Sequence, residues 1–370
     1  MLESNKNEIN LGLAVTFIPN KKTPIHNWFY YKEGYSRELV EWLIKKWNIK
    51  GKILDPFCGV GTTLLAAKEL GFESIGYDVS PLAVLAARVK TRNYNIEELR
   101  KQFESIKKIY LQPTGKPIRE KWMKRLFYPK TLENILIYKE EIEKIKDEKI
   151  RDFFMLALIA STDRVMLATK QGGSLRLTKK PPIPIKAIFI RKIKFMLKDL
   201  EKNQVNVGHE KEPEVLQEDA REMLLEKESV DCIITSPPYL NKIEYTTVYK
   251  AELGIFFKHQ ETRLRAFIGE EKFQAENESD EPLIAQAYFK DMEKVLQNCY
   301  DMLKPKGIAF FELAGACFPT STIECDERIA EIAQKIGFKL KEIITCREIA
   351  CYRIAGSAGK VRESIVVLEK

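Results

Sequence analysis

Histidine is nearly missing from this 370-residue chain: His26, His209 and His259 are the only three, and none has a second plausible ligand near it in sequence. That leaves little with which to build a histidine-centred metal site or a Ser-His-Asp triad, so no metal is expected. The seven cysteines (58, 232, 299, 317, 325, 346 and 351) include no CxxC pair. Their odd number, with no secretory leader ahead of them, predicts reduced thiols in a cytoplasmic protein. No apolar run approaches the roughly 20 residues that cross a bilayer, so no membrane partner is expected. With 18 Gly and 16 Pro against 45% hydrophobic residues, the composition excludes a fibrous or low-complexity chain and supplies a core. The length calls for one enlarged domain or two.

Local signals arrange themselves into alternating elements. Ser36 precedes Leu39, Trp42, Leu43 and Trp47 at helical spacing, with Glu38 in the first turn, which predicts a capped amphipathic helix over 36–48. A short apolar run at 52–54 breaks into DPFCGVGTT and continues as a helix to Gly71; ESIGY (73–77) predicts a second strand, followed by a helix with Pro81 in its first turn. Such a βαβα start implies a parallel sheet with helical crossovers. Strand patterns resume at EVLQEDARE and VDCIITSPPY, then at 307–313, 339–352 and 361–368, the last two as an antiparallel pair. Between them, residues 96–212 carry four helical patterns and no strand pattern. The predicted division is therefore 1–95 and 213–370 as two parts of one α/β domain, with 96–212 a helical insertion.

That insertion is short of one sign of charge. From Arg164 to Lys198 there are ten Lys or Arg and no Asp or Glu, in a chain whose net charge is +8. Solvated helix faces normally interleave acids, so this run predicts a surface that meets phosphates. Arg164, Lys170, Arg176, Lys179, Lys180, Lys186, Arg191 and Lys192 are the candidate contacts, and nucleic acid is the expected partner.

Two motifs carry chemistry. Asp55-Pro-Phe-Cys-Gly59-Val-Gly61-Thr-Thr stands where a strand hands over to a helix, and glycine there lets the backbone approach a ligand closely. The spacing is neither GxGxxG nor GxxxxGKS, which disfavours a dinucleotide or a phosphate-cradling loop. Asp78 ends the next strand, placed to accept ribose hydroxyls. Thr235-Ser236-Pro237-Pro238-Tyr239 follows a buried-type strand; the two prolines fix φ and remove two donors, leaving carbonyls and one small hydroxyl. Such a pocket accepts hydrogen bonds from an exocyclic amino group and turns its nitrogen lone pair toward a methyl donor. Tyr239 would stack on the base, a contact of about 1–3 kcal/mol, and phenylalanine in its place would keep much of the activity.

DPFCGVGTT, Asp78, Asp219 and TSPPY, in that order, resemble the S-adenosylmethionine-dependent amino-methyltransferases, and SPPY resembles their N4-cytosine branch. The resemblance covers about residues 24–95 and 214–370. It implies a Rossmann-like seven-stranded class I methyltransferase sheet with S-adenosylmethionine as cofactor. Phe57, Gly59 and Gly61 would lie at its methionine end, Asp78 on the ribose and Asp219 at the adenine, with Asp55, Thr62, Val79 and Ala220 as further cofactor-binding residues and Ser236, Pro237, Pro238 and Tyr239 at the target base. A C5-cytosine enzyme would need a Pro-Cys nucleophile, and no Pro-Cys dipeptide occurs. The implied activity is N4 methylation of cytosine. Structured RNA is favoured as in archaeal N4-cytidine ribosomal RNA methyltransferases, because the insertion shows no base-reading module such as a helix-turn-helix. DNA N4-cytosine methylation is the direct alternative, and N6-adenine, N2-guanosine and protein-amide methylation are more distant ones.

Overall fold

The computed structural model describes residues 9–31, 33–112, 121–171, 174–203, 211–240, 245–257, 281–318, 321–352 and 358–370. A short helix, α1 (Leu11–Ala14), and α2 (Arg37–Lys46) precede the first strand, β1 (Ile53–Asp55). Ser36 caps α2 by accepting a hydrogen bond from the Leu39 amide at 3.3 Å, while Leu39, Val40, Leu43 and Ile44 face inward. Each such aliphatic side chain contributes about 1.5–3 kcal/mol on burial. Then come α3 (Thr62–Glu69), β2 (Ser74–Tyr77) and α4 (Pro81–Thr91). After the insertion follow β5 (Glu214–Leu216), β6 (Val230–Thr235), α10 (Tyr245–Val248), α11 (Lys250–Phe256), α12 (Leu283–Met302), β7 (Leu303–Ala314), the small ladder β8 (Ala316–Cys317) and β9 (Thr322–Ile323), α13 (Cys325–Ile336), β10 (Lys339–Tyr352) and β11 (Ala358–Glu369).

Seven strands form one sheet in the order β10-β11-β7-β6-β1-β2-β5. β1 runs parallel to both β2 and β6, and β11 inserts antiparallel between β7 and β10. The chain leaves β1 in one direction toward β2 and β5, then resumes on the other side with β6 and β7. That reversal opens a crevice beyond the carboxyl ends of β1 and β6, where ligands of open α/β sheets bind. One face of the sheet packs Leu54, Ile233 and Phe311 against α12 and α13; the other packs Ile53, Ile234 and Phe310 against α1 and α2. This is the predicted seven-stranded methyltransferase architecture.

The insertion holds α5 (Ile96–Lys107), α6 (Lys121–Leu126), α7 (Pro129–Glu143), α8 (Glu148–Val165), a hairpin of β3 (Ala168–Gln171) and β4 (Ser174–Leu177), and α9 (Ile185–Asn203). The hairpin corrects the purely helical reading of 96–212. Its two four-residue strands pair antiparallel, Ala168 opposite Leu177 and Gln171 opposite Ser174, and strands so short give no alternation long enough to read in the sequence. The insertion is not a satellite. Its Phe153, Phe154, Phe189 and Ile193 share one apolar core with Phe17, Trp28 and Tyr31 of the N-terminal segment and with Leu65 and Leu82 of the cofactor-side helices.

Candidate active site

The glycine turn is built around Asp78. Its Oδ2 accepts the Gly59 amide at 3.0 Å and its Oδ1 the Ser80 amide at 2.8 Å, which fastens the turn after β1 to the end of β2. Gly59 and Gly61 both have positive φ, +50° and +79°, and a Cβ on Gly61 would stand 2.9 Å from that of Ala87. Only glycine lets α4 pack so closely on this turn. Burial pushes the Asp78 carboxyl up to about 6. Each of its oxygens accepts one backbone bond, and a carboxylate oxygen can accept two, so the group has capacity for two ribose hydroxyls. Val79 lies beside it and its carbonyl accepts from Gln217 at 3.4 Å.

Asp55, expected among the cofactor-binding residues, has its side chain engaged within the protein. Its Oδ1 accepts from Thr235 Oγ1 at 2.7 Å and from the Phe57 amide at 3.2 Å, and its Oδ2 lies 3.4 Å from the Tyr35 hydroxyl. The side chain is 2% exposed, and burial pushes its carboxyl up to about 6. Asp55 therefore knits the ends of the adjacent strands β1 and β6, holding the glycine turn and TSPPY side by side. Tyr35 completes the knot through a short hydrogen bond to Thr63. Thr62, buried, opens α3 just behind Gly61.

Asp219 has partners of its own. It lies three residues past β5, and both its oxygens receive Arg221, at 3.0 and 2.7 Å, while its Oδ1 caps the turn at Ala220. Arg221 is held in turn by Asp291 at 3.0 Å. The carboxylate thus orders the segment at the expected adenine position and is already engaged there. Ala220, buried, sits beneath it.

Ser236 follows the last residue of β6, with Pro237 buried and Pro238 and Tyr239 half-buried. The Tyr239 hydroxyl reaches Glu312 Oε1 at 2.5 Å and Glu363 Oε1 at 2.8 Å. Cys58 and Cys232 are buried, and desolvation pushes both thiols well up, as befits packing groups.

The resemblance sets HNWFYYKEGYS where such enzymes close over the cofactor but singles out no residue in it, and the aromatic wall over the glycine turn comes from that segment and from the start of α11. A Cβ on Gly59 would meet Tyr31 Cε1 at 3.8 Å. Tyr31 stacks on Tyr249 with centroids 5.0 Å apart and planes at 11°, and Lys170 Nζ sits 4.4 Å from the Tyr249 ring. The signal available was the aromatic density of Trp28-Phe29-Tyr30-Tyr31.

Of the predicted phosphate contacts, Arg164, Arg176, Lys179, Lys186 and Arg191 are exposed. Lys170 and Lys192 are turned inward. Lys170 pairs inside the protein with Glu252 at 2.5 Å and Asp163 at 3.2 Å. Lys192 is half-buried with its Nζ 3.5 Å from the Asn27 carbonyl, and desolvation lowers it to about 8. Lys180 is partly withdrawn, donating to the Met166 carbonyl at 3.2 Å. A shallow groove of about 560 Å³ on α9, floored by Ala187 and Ile190, is rimmed instead by Lys186, Arg191 and Lys194.

Comparison with known proteins finds relatives among the methyltransferases. A Type II methyltransferase of Geobacillus stearothermophilus, M.BsoBI, is 30% identical over 277 residues, 65% of this chain and 54% of that protein's length. M.AvaI, a Type II methyltransferase of a Nostoc species, is 24% identical over an alignment covering 89% of this chain and 82% of that one. Among solved structures, an S-adenosylmethionine-dependent methyltransferase from Methanosarcina mazei matches at a TM-score of 0.36 and 9% identity over 89% of this chain and 96% of that one, too low a likeness to add to the topology. The family model covers residues 5–89 and 230–370, which supply every strand of the sheet but β5 and carry both motifs. With S-adenosylmethionine as its cofactor, the chain belongs to the N6/N4 DNA methylase family.

Proposed function

We propose that this protein transfers a methyl group from S-adenosylmethionine to the N4 amino group of cytosine in DNA. The observation that carries the reading is Ser236-Pro237-Pro238-Tyr239 at the end of β6, tied through Thr235 and Asp55 to the glycine turn. Ser236 Oγ and the Pro237 carbonyl act as acceptors for the two amino protons. As those bonds tighten, the nitrogen loses conjugation with the ring and its lone pair turns to the methyl group. Tyr239 holds the base after it leaves the duplex, a step costing a few kcal/mol. When bound, the cofactor supplies the methyl group. Asp78 accepts its ribose hydroxyls, and the Gly59–Gly61 turn leaves space for its methionine end.

DNA replaces structured RNA as the favoured substrate, because the matching family is one of DNA methylases and the curated relatives are Type II methyltransferases. Serine at the head of the motif, where aspartate or asparagine would suit adenine, supports cytosine. The exposed cations of the insertion, with Lys186, Arg191 and Lys194 on one groove, support phosphate contact along the duplex. Incubation with labelled S-adenosylmethionine and mixed-sequence duplex DNA, then nucleoside mass spectrometry, tests the proposal. N4-methylcytosine is the expected product. N6-methyladenine, or methylation of RNA alone, would refute it.

A further inference from the structure

The end of the Tyr239 side chain lies between two carboxylates from different strands. Glu312 stands on β7, one residue past Phe311, which pairs with Thr235 of β6. Glu363 stands on β11 opposite Ala314 of β7. Both are nearly sealed from water, at 3% and 2% exposure. The phenol reaches Glu312 at 2.5 Å and Glu363 at 2.8 Å. Glu363 receives Arg347, its cross-strand neighbour on β10, in a short charge-assisted hydrogen bond through its other oxygen.

Two buried acids cost stability unless something donates to them. Their placement around one hydroxyl therefore calls for a function. Pro237 and Pro238 restrict the backbone before Tyr239 but leave its two side-chain torsions open. A ring anchored at its far end to β7 and β11 is referenced to the sheet itself, not to the loop that carries it. Such anchoring fixes the ring plane before the base arrives and spares that ordering cost during binding.

We propose that Glu312 and Glu363 are positioning residues that act through the Tyr239 hydroxyl, clamping its ring in the plane that receives the target base. The proposal rests on the reading of Tyr239 as the base-holding ring. It also reverses the expectation that phenylalanine would serve at 239, because Tyr239→Phe removes the hydroxyl that both acids contact.

The test is a double-mutant cycle of Tyr239→Phe and Glu312→Gln, read as single-turnover methyl transfer to duplex DNA, whichever base receives the methyl. Binding of S-adenosylmethionine and the thermal midpoint are followed alongside. Tyr239→Phe should slow transfer by about tenfold or more with cofactor affinity within about twofold, and the double variant should be no slower than Tyr239→Phe alone, since groups acting through one contact are not additive. Glu312→Gln keeps an acceptor oxygen and should lose less than Glu312→Asp, which keeps the charge but withdraws the acceptor by about one methylene, roughly 1.5 Å. Losses that multiply in the double variant, or wild-type rates in Tyr239→Phe or Glu312→Asp, would overturn the clamp. Methylation of adenine would sink the assignment of the base while leaving the cycle to judge the clamp on its own. A wild-type protein that transfers no methyl to DNA would overturn both.

Discussion

In the proposed reading Asp78 is the residue on which cofactor binding turns, and its environment makes the consequence measurable. Asp78→Ala removes the acceptor for two ribose hydroxyls and also releases the Gly59 and Ser80 amides held at 3.0 and 2.8 Å. Hydrogen bonds to a charged acceptor are worth about 1.5–3 kcal/mol each, and the two are not independent, so a combined loss of about 2–4 kcal/mol is expected. That corresponds to weakening by about 30-fold to several hundred-fold. Asp78→Asn is no gentler, since its amide presents a donor to one of two backbone donors. The pH dependence follows from burial, which pushes this carboxyl up to about 6. With the folded value above the unfolded one of about 3.9, the cofactor-free protein favours the proton. The stability that proton confers is lost as pH rises from about 4 through about 6. Cofactor binding runs the other way, because only the carboxylate accepts both hydroxyls. Affinity should be full above about pH 6 and fall below it, approaching tenfold per pH unit. Asp55, also near 6, titrates in the same window, but it faces Thr235 and Tyr35. Calorimetry from pH 7.5 to 5 on the wild type and Asp78→Asn separates the two, since the variant should lose the pH dependence together with the affinity. A wild-type affinity that stays flat over that range, or an Asp78→Ala variant that binds normally, would refute the assignment.

Ser236→Ala should lower the single-turnover rate by about 10²–10³ while binding of DNA and cofactor stays within a few fold, because the lost acceptor matters chiefly as the nitrogen rehybridises; equal losses in rate and binding would contradict that role. Neutralising Lys186, Arg191 and Lys194 together should reduce the slope of log affinity for DNA against log salt by up to about 3, whereas Lys192→Gln, already turned inward, should leave it unchanged; filter binding over a salt series decides. Gly61→Ala forces a positive φ and a 2.9 Å contact with Ala87 on a side-chain-bearing residue; denaturant unfolding should show a loss of about 1–3 kcal/mol, and an unchanged midpoint would show that the turn relaxes freely.

What could be read from sequence divides along a physical line. The helix capped by Ser36, the strand–turn–helix at DPFCGVGTT and the antiparallel pair of long C-terminal strands were legible because each is specified by residues adjacent in the chain. The crevice between β1 and β6 followed from the order of those elements. Asp55 was not legible. Its partners Thr235 and Tyr35 lie 180 and 20 residues away, and nothing in DPF distinguishes a carboxylate facing a ligand from one tying two strands together. The same holds for Lys170 and Lys192, whose charge suggested phosphate and whose burial is set by packing against α11 and the N-terminal segment. The Tyr239 hydroxyl was invisible for that reason too: a sequence shows a stacking ring, and only the sheet shows two carboxylates, 73 and 124 residues on, waiting at its end.

Charge is partitioned across the molecule in a way that bears on how a base would reach the site. Asp55, Asp78, Asp219, Glu312 and Glu363 gather around the carboxyl edge of the sheet, while the stretch from Arg164 to Lys198 carries ten cations and no acid. A carboxylate such as Asp78 suits a cofactor with a positive sulfonium and opposes a phosphate backbone. A neutral base meets no such opposition. Under the proposed function, the insertion would hold the polyanion at its own surface while the crevice admits only the one uncharged part of a nucleotide that can be swung away from its phosphates. The shared core of the insertion and the cofactor-side helices, with the Lys170–Tyr249–Tyr31 stack over the glycine turn, then fixes the distance between those two fields. Under the same proposal that distance is what a flipped nucleotide would span, so packing that looks merely structural would set the geometry in which extrusion is productive.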